Sequence, residues 1–427
     1  MTFAFDAHLH LLPLKYTCAS SYFAFVKQNA LDESYAALFA PDYIYKGLFR
    51  NKNIIQNLLA VMENDVEHIA KLYEDDLRGH FDNANARTTE KTRHAARALT
   101  LADSGVSINS FHRDKLVLMP LIMDFSTKIH ATDIYYKQQV SHDFYADIAD
   151  TIEGIRRFCI SRPESPCIIR PYLGINPALH TVAEIDSLLN THFSRKNLWS
   201  PRAKYFLRTW KKLKSAKPIT AYEKIPKNMF AGIKLYPPLG FDPAAQEKAQ
   251  KEKLELLFSF CEKNTVPLVT HCDDQGFRMI SQEKSLKYTS PKRWENVLKR
   301  YPELYLDFAH FGKQYYRGLR FKQDFDWRDK IITLMRDYPN VYADVSFSGV
   351  AQNAWAELGA LFSASSALTA ADVHALSEKL IFGTDWPLIL WRTESALGYW
   401  EDFVRSAIPE HIQHRMLSDN PARFAFR

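Results

Sequence analysis

The sequence has few of the features that mark secreted, membrane-spanning or dinucleotide-binding proteins. Its 427 residues include only five cysteines, none of them in a C-x-x-C pair, and an odd number does not suit a disulfide framework. No apolar run approaches the roughly 18 residues of a membrane span, and the N-terminal residues lack the basic region of a signal peptide. No G-x-G-x-x-G motif follows an apolar run, so a dinucleotide-binding fold has no fingerprint here. We therefore expect a cytoplasmic protein with reduced thiols.

The composition is that of an ordinary globular chain of enzyme size. Apolar residues make up 46% and charged residues 24%, which excludes a disordered or fibrous protein and provides for a large buried core. The net charge of +6 is too small a bias over this length to indicate a nucleic-acid partner. We expect a small-molecule substrate, and neither nucleic acid nor membrane as a partner.

Eight short segments begin with apolar or β-branched residues and end in polar, turn-forming or titratable ones, as the strands of a parallel barrel do. They span residues 3–11, 116–125, 168–177, 230–238, 266–274, 304–312, 341–349 and 380–388. The last five start 36 to 39 residues apart, and helical patterns occupy the stretches 243–264, 327–338 and 392–407 between or after them. This alternation predicts a single α/β unit over residues 1–427, a (β/α)8 TIM barrel with its active site at the carboxyl ends of the strands.

Two connections are longer than a βα unit needs. Residues 13–115 lie between the first two strands and contain helical patterns, so we predict a helical insertion that serves as a lid or as a homo-oligomer surface. Residues 193–229 form a second, basic insertion, in which eleven lysines and arginines accompany one acid, Glu223. We favour a solvated basic face here over an anion-binding or nucleic-acid patch.

Side chains of the kinds that bind metals recur at the strand ends. Asp6, His8 and His10 alternate along the first strand, so they are predicted to share one face, with Asp6 either structural or supporting a ligand histidine. Strands four, five, six and eight contribute Lys234, His271, His310 and Asp385, respectively. In a barrel these ends converge on one axis, so these residues would become neighbours around a common ion. Imidazole and carboxylate groups are ligands of zinc and its neighbours in the transition series, which makes chance the poorer explanation.

These motifs and their order resemble those of the amidohydrolase superfamily. The motifs are D-x-H-x-H at 6–10, the histidines that end strands five and six, G-T-D-W-P at 383–387 and N-P-A-R-F at 420–424. The most similar branch is the amidohydrolase-related (amidohydrolase 2) group, which also contains aminocarboxymuconate-semialdehyde decarboxylase and several lactonases. The resemblance runs over nearly the whole chain and implies a metal-dependent TIM-barrel hydrolase.

The resemblance implies a divalent metal, zinc in our expectation, bound by His8, His10, His271 and Asp385. The ion would supply an activated water and a Lewis acid, and Asp385 would accept the water proton and return it to the leaving group. His310 would lie at a second coordination position or against the substrate. In binuclear relatives a carboxylated lysine helps to hold a second ion, which makes Lys234 a candidate for that role. We expect one ion, with two as the alternative, and Lys234 unmodified and facing the substrate.

Hydrolysis of an amide, lactone or related C–N or C–O bond in an anionic molecule is the favoured function. A non-oxidative decarboxylase on the same scaffold and a catalytically silent metal-binding protein stay open as alternatives. The candidates for substrate contact, all at or just beyond strand ends, are Arg170, Tyr236, Asp273, Lys313 and Trp386.

Overall fold

A computed structural model describes residues 1–16, 52–80, 97–125, 131–132, 139–140, 143–193, 202–314, 325–351 and 353–426. Within these ranges, no helix combines the length and the apolar character needed to cross a membrane. Strands and helices alternate along the chain, and one six-stranded and one three-stranded sheet are parallel, which confirms the predicted α/β class.

The strands of the described residues are short. In chain order they are β1 Phe3–Leu9, β2 Leu99–Ala102, β3 Gly105–Ile108, β4 Phe111–Arg113, β5 Lys115–Pro120, β6 Ala131–Thr132, β7 Gln139–Val140, β8 Cys167–Ile169, β9 Leu173–Gly174, β10 Ile233–Leu235, β11 Leu268–Thr270, β12 Leu306–Phe308, β13 Val341–Asp344 and β14 Leu380–Ile381. One parallel sheet has the order β1-β5-β8, and a second has the order β14-β13-β12-β11-β10-β9. Each of the eight predicted strand segments therefore overlaps a parallel strand, and the third overlaps two.

Backbone hydrogen bonds connect the two parallel sheets at both of their edges. Between β8 and β9, Tyr172 N donates to Pro120 O and Leu173 N donates to Gly232 O, so consecutive residues pair with different sheets. At the other edge, Ala7 N of β1 donates to Phe382 O, 3.1 Å away and just beyond β14. The carboxyl ends of the first and last parallel strands are thus adjacent.

Side chains along the parallel strands alternate between two apolar clusters, as a pleated sheet requires. The first cluster, which we call the inner cluster, includes Phe5, Val117, Val269 and Tyr342 together with the C-terminal Phe426. The second, outer cluster lies under the helices and includes their apolar stripes. The ring centroids of Phe5 and Phe426 are 5.3 Å apart, so the C-terminal residues cover the inner cluster near the start of β1.

Most helices of the described residues pack on the outer cluster, whereas the C-terminal helix contributes Phe424 and Ala425 to the inner cluster. In chain order they are α1 Lys52–Met62, α2 Val66–Leu77, α3 Phe144–Ser161, α4 Val182–Phe193, α5 Arg202–Lys214, α6 Lys248–Asn264, α7 Gln282–Thr289, α8 Glu295–Arg300, α9 Asp326–Asp337, α10 Ala354–Ala360, α11 Ala370–Lys379, α12 Ala396–Val404, α13 Glu410–His414 and α14 Asn420–Ala425. The three predicted helices are present as α6, α9 and α12. Helices α6 and α12 begin later than predicted because the side chains of Glu247 and Ser395 accept hydrogen bonds from the first N–H groups of the helix.

The insertion at 13–115 is not helical throughout, which corrects the prediction. Residues 17–51 and 81–96 lie outside the described residues, and the described part contains α1 and α2 followed by the antiparallel sheet β2-β3-β4. In β2, Leu99 and Leu101 are buried whereas Thr100 is exposed, an alternation over four residues that suits a strand and is too short for a helix. Gly105 has a φ of 135°, which favours glycine at the start of β3.

The basic insertion is described in part. The described basic side chains of α5, Arg208, Lys211, Lys212 and Lys214, are exposed, while residues 194–201 lie outside the described ranges. The exposure of these side chains agrees with the solvated basic face that the sequence predicts.

Helix α2 of the long insertion caps α12, and this contact provides a test of the fold. The buried carboxylate of Asp76 accepts hydrogen bonds from Ala396 N at 2.7 Å and Leu397 N at 3.4 Å. We expect Asp76→Ala to lower the free energy of unfolding by about 1–2 kcal/mol, because these N–H groups lose their acceptor. Denaturant unfolding gives the measurement. Asp103→Ala removes a side chain that is 68% exposed and should cost less than about 0.5 kcal/mol. Equal losses in the two variants would contradict the capping role.

Candidate metal centre

Three buried side chains from β1 and from the segment after β14 meet at the carboxyl ends of these strands. The Nε2 atoms of His8 and His10 lie 3.5 and 3.2 Å from Oδ1 of Asp385. We call these three residues the triad; their ligand atoms all lie within 4.8 Å of one another. Although Oδ1 of Asp385 is buried, it has no partner with hydrogen-bond geometry among the described residues. A carboxylate oxygen in this state beside two imidazole nitrogens fits a divalent transition metal.

A β-bulge in β1 directs both histidines toward Asp385. The pairing of β1 with β5 is regular up to Asp6 opposite Leu118 and resumes at Leu9 opposite Pro120, with a register shift between them. The shift inserts an extra residue, so the simple alternation of faces is interrupted between Asp6 and the histidines. The prediction that Asp6 shares a face with them is therefore wrong.

Asp6 instead connects β1 to the long insertion. Its carboxylate accepts hydrogen bonds from Thr384 N at 2.9 Å, from Thr384 Oγ1 at 2.7 Å and from the hydroxyl of Tyr73 on α2. Burial raises the pKa of Asp6 to about 7, against the lowering effect of these hydrogen bonds. Asp6 thus holds the residue before Asp385 in place through Thr384 and connects it to α2 through Tyr73.

Hydrogen bonds on the Nδ1 side of each triad histidine leave Nε2 to face Asp385. Nδ1 of His8 lies 2.7 Å from Oδ2 of Asp344, and Nδ1 of His10 lies 2.9 Å from the carbonyl oxygen of Leu121. An ionised carboxylate and a carbonyl oxygen can only accept, so Nδ1 donates in both rings and Nε2 keeps its lone pair. Partners of this kind orient histidines that bind metals and raise their basicity.

The protonation states of His8 and Asp385 are those that metal binding requires. Burial lowers the pKa of His8 to about 4, although the charge of Asp344 opposes this effect. Burial alone would raise the pKa of Asp385, but the neighbouring His10, His8 and His310 rings outweigh it and hold the pKa below its usual value. At neutral pH the site therefore offers a neutral His8 imidazole beside an ionised carboxylate.

His310 and His271 extend the cluster beyond the triad. The ring centroid of His310 lies 4.9 Å from that of His8 and 5.0 Å from that of His271. Nε2 of His271 lies 3.0 Å from Oδ1 of Asp273, and these two residues form a second close group with His310. The fourth predicted ligand, His271, thus contacts His310, which in turn contacts His8, and its Nε2 faces Asp273.

The backbone is left-handed at two of the strand ends that carry these residues. The φ angle is 62° at His310 and 66° at Asp385, a region that costs a non-glycine residue about 1–3 kcal/mol and is commonest at functional sites. Gly383 lies on the same turn as Asp385, and a Cβ there would come within 2.6 Å of the Cβ of His8. A glycine is therefore required where the turn after β14 passes β1.

Lys234 is buried near the same carboxylates. It is 2% exposed and lies opposite Val269, a member of the inner cluster. Burial lowers the pKa of Lys234, while the charges of Asp344 and Asp385 oppose the shift. Charge compensation of this kind is what allows an ammonium group to be buried.

Three of the predicted substrate-contact residues lie beside the histidines. The ring of Tyr236 stacks on His271 with 4.3 Å between centroids, and Asp273 pairs with the same histidine. Lys313 lines a cleft together with His310. These three residues therefore lie where residues at or just beyond strand ends are expected to lie.

The other two substrate-contact candidates are placed differently. Arg170 is buried, and its guanidinium donates to the carbonyl oxygen of Phe230 at 3.4 Å. Trp386 is 2% exposed, and its ring lies 5.2 Å from the ring of Tyr73 on α2. The structure therefore does not group these two side chains with the histidines.

Asp344 is a functional residue that the sequence analysis missed. Its Oδ1 accepts hydrogen bonds from His310 N at 3.1 Å and Ser346 N at 2.9 Å, while its Oδ2 faces His8. Burial would raise the pKa of Asp344, but the His8 and His310 rings hold it well below the usual value. The signal was present in the sequence, since Asp344 ends an apolar strand just as the other cluster residues do.

We expect the purified protein to hold a divalent transition metal and the double variant His8→Ala/His10→Ala to lose it, because two of the three triad ligands are removed. Elemental analysis of both proteins measures the metal-to-chain ratio. A matched control is His68→Ala/His80→Ala, which removes two histidine side chains that are 58% and 60% exposed and should leave the ratio unchanged. Undiminished metal in the His8/His10 variant would contradict the site.

We expect Asp344→Ala to weaken metal binding by roughly 10–100-fold, because His8 loses the acceptor that orients its ring. Competition with a chromogenic chelator measures the affinity, and circular dichroism confirms the fold. Asp344→Asn keeps an acceptor oxygen and should lose less metal affinity than Asp344→Ala. Asp337→Ala changes a side chain that is 48% exposed and should leave metal affinity unchanged. Metal affinity equal to that of the wild type in Asp344→Ala would show that His8 needs no such partner.

The C-terminal half of the chain matches a known protein family. Residues 218–426 match the family model described as Amidohydrolase, and this region includes His271, His310 and Asp385. A search of curated proteins finds no match to the chain.

Solved structures with a distant resemblance include amidohydrolases and related enzymes. A uronate isomerase from Bacillus halodurans is 12% identical with a TM-score of 0.42, the match covering 100% of this chain and 94% of that chain. A lactonase from Listeria monocytogenes is 9% identical with a TM-score of 0.38, covering 100% and 95%. An amidohydrolase from Burkholderia multivorans with bound zinc is 11% identical with a TM-score of 0.32, covering 73% and 82%. Because these scores are low, the comparison that bears on the chain is the family match, in which residues 218–426 resemble the family described as Amidohydrolase.

Proposed function

We propose that the protein cleaves an amide, lactone or related C–N or C–O bond of a small anionic molecule, with Asp385 as proton shuttle. The observation that carries this proposal is the triad, in which two imidazole lone pairs face a buried carboxylate oxygen that has no hydrogen-bond partner in the described chain. The family match over residues 218–426 supports a metal-dependent hydrolase in general. The bond class and the substrate charge are our inference.

We also propose that the parallel strands close into an eight-stranded TIM barrel within one unit, residues 1–427, with the triad at its carboxyl end. The hydrogen bonds that link both sheet edges support closure, since Ala7 of β1 bonds to Phe382 after β14. The hydrogen bond from Tyr73 to Asp6 supports including the insertion 13–115 in the same unit. As a lid or oligomer surface, that insertion would lie beside the site.

The proposed ligands of a zinc ion are the triad residues and His271. When bound, such an ion lowers the pKa of a water molecule to about 7 and polarises a carbonyl oxygen. Nδ1 of His310 lies 3.1 Å from the carbonyl oxygen of Ser346, so it donates there and leaves the Nε2 lone pair for a substrate donor or a second ion. We favour one ion, with Lys234 unmodified, because its ammonium compensates nearby carboxylate charge.

The proposed role of Asp385 is to move one proton. The water oxygen bonds to the carbonyl carbon while a water proton passes to the Asp385 carboxylate. The C–O or C–N bond then breaks, its electron pair stays on the leaving oxygen or nitrogen, and Asp385 delivers the proton to that atom. The lowered pKa of Asp385 keeps the carboxylate ionised at the start of this cycle.

We expect Asp385→Asn to retain the fold but to lose at least about 100-fold in turnover, because an amide cannot accept and return the proton. Metal-loaded protein is assayed against a panel of lactones, amides and aromatic acids, with ring opening and CO2 release both recorded. Asp419→Asn, at a side chain that is 51% exposed, is the matched control and should keep full activity. Full activity in Asp385→Asn would leave Asp385 a structural residue.

The same panel separates the alternative functions. Release of CO2 from a carboxylated ring without ring opening would identify a non-oxidative decarboxylase and overturn hydrolysis. No turnover of any compound by metal-loaded protein would indicate a metal-binding protein without catalysis.

A further inference from the structure

A cleft beside His310 has a composition that the proposed catalytic groups do not explain. The cleft is open to solvent, and its lining includes His310, Lys313, Phe325, Arg328, Trp355 and Glu357. Because His310 belongs to the histidine cluster and also lines the cleft, a molecule bound in the cleft would reach the proposed reaction centre. The chemistry of the other lining residues therefore bears on the substrate class.

Backbone hydrogen bonds fix the position of Lys313 relative to His310. Its backbone N donates to His310 O at 3.0 Å, and its carbonyl oxygen accepts from Asp274 N at 3.2 Å. Its ammonium group is partly buried and has no hydrogen bond or ion pair within the described ranges. Burial lowers the pKa of Lys313, with the charge of Glu357 opposing and that of Arg328 adding to the shift. An ammonium in this state favours an anionic partner.

Arg328 supplies a second cation to the same cleft. Its guanidinium carbon lies 3.9 Å from the ring centroid of Phe325, and one nitrogen lies 2.9 Å from an oxygen of Asp329, which is 62% exposed. Glu357 also lines the cleft and would repel an anion. Its side chain is exposed, so water screens this repulsion. The charge balance of the cleft thus favours a negatively charged ligand.

Aromatic side chains give another part of the cleft lining an apolar character. Trp355 is 8% exposed, and its indole N–H has no acceptor among the residues that the structure describes. The indole packs against Gly349, where a Cβ would lie within 2.2 Å of the ring, so the ring has little freedom to move. Trp355 and Phe325 thus give the lining of the cleft an aromatic, apolar part next to two cations.

We propose that this cleft binds the carboxylate of an aromatic or similarly flat apolar substrate. Lys313 pairs with the carboxylate, Arg328 adds a second positive charge, and the apolar body lies against Phe325 and Trp355 with the scissile bond toward His310. The identification of the ligand as a substrate rests on the proposed hydrolase function. The binding of a carboxylate at Lys313 does not.

The test uses benzoate as probe and benzamide as its neutral counterpart, titrated calorimetrically into the purified full-length protein. We expect benzoate to bind roughly tenfold more tightly than benzamide in the wild type, because a charge-assisted hydrogen bond is lost with the carboxylate. Lys313→Met should abolish this preference, Arg328→Gln should reduce it, and Lys313→Arg should retain it. Lys211→Met removes an exposed lysine of α5 and is the matched control, expected to behave as the wild type.

The outcomes separate this site from the metal centre. If wild-type protein did not distinguish benzoate from benzamide, or if folded Lys313→Met kept the preference, the carboxylate would bind elsewhere and the proposal would be wrong. Should Lys313→Met fail to fold, the comparison of Lys313→Arg with Lys313→Gln decides, since only the first keeps the charge. A benzoate preference that depends on Lys313 in a protein without hydrolytic turnover would reject the proposed function and leave the carboxylate site standing.

Discussion

The contact between Nδ1 of His8 and the carboxylate of Asp344, 2.7 Å long, is the interaction on which the rest of the site depends. It joins two residues that are 336 positions apart in the chain, one on β1 and the other at the end of β13. The same carboxylate accepts from the backbone of His310 and of Ser346, so it fixes the turn after β12 and the segment after β13 as well. Because both side chains are buried, removing either of them would leave the other without this hydrogen-bond partner in the interior.

The charged side chains around the His8–Asp344 contact are buried in an apolar interior. The cost of burying them is lower because charges of opposite sign lie close together. Burial raises the pKa of Asp307 well above its usual value, and the neighbouring Asp344 adds to the rise, whereas the pKa of Asp344 itself is lowered by His8 and His310. Lys234 places a positive charge among the same carboxylates. Lys234 thus offsets part of the charge of Asp344 and Asp385, the two carboxylates that must stay ionised for metal binding and proton transfer.

Local sequence patterns predicted the parallel strands and most residues of the candidate metal centre. The features that they did not predict depend on how distant segments pack together. Apolar runs that end in polar residues gave every parallel strand, and the same strand ends identified His8, His10 and Asp385 as neighbours. The β-bulge that separates Asp6 from the histidines depends on the register with β5, which no local pattern contains. The role of Asp344 likewise depends on the position of β13 relative to β1, and Arg328 reaches the cleft from a helix, outside the strand ends on which the prediction concentrated.

The most direct test of the account is an anomalous difference map from crystals of the zinc-loaded protein, measured above the zinc absorption edge. The account predicts one strong peak within coordination distance of Nε2 of His8, Nε2 of His10 and the carboxylate of Asp385, with no bridging density on Lys234. A second peak of similar height next to a modified Lys234 would contradict the single-ion site. Zinc bound only elsewhere, or not at all, would contradict the central claim that these strand ends form a metal centre.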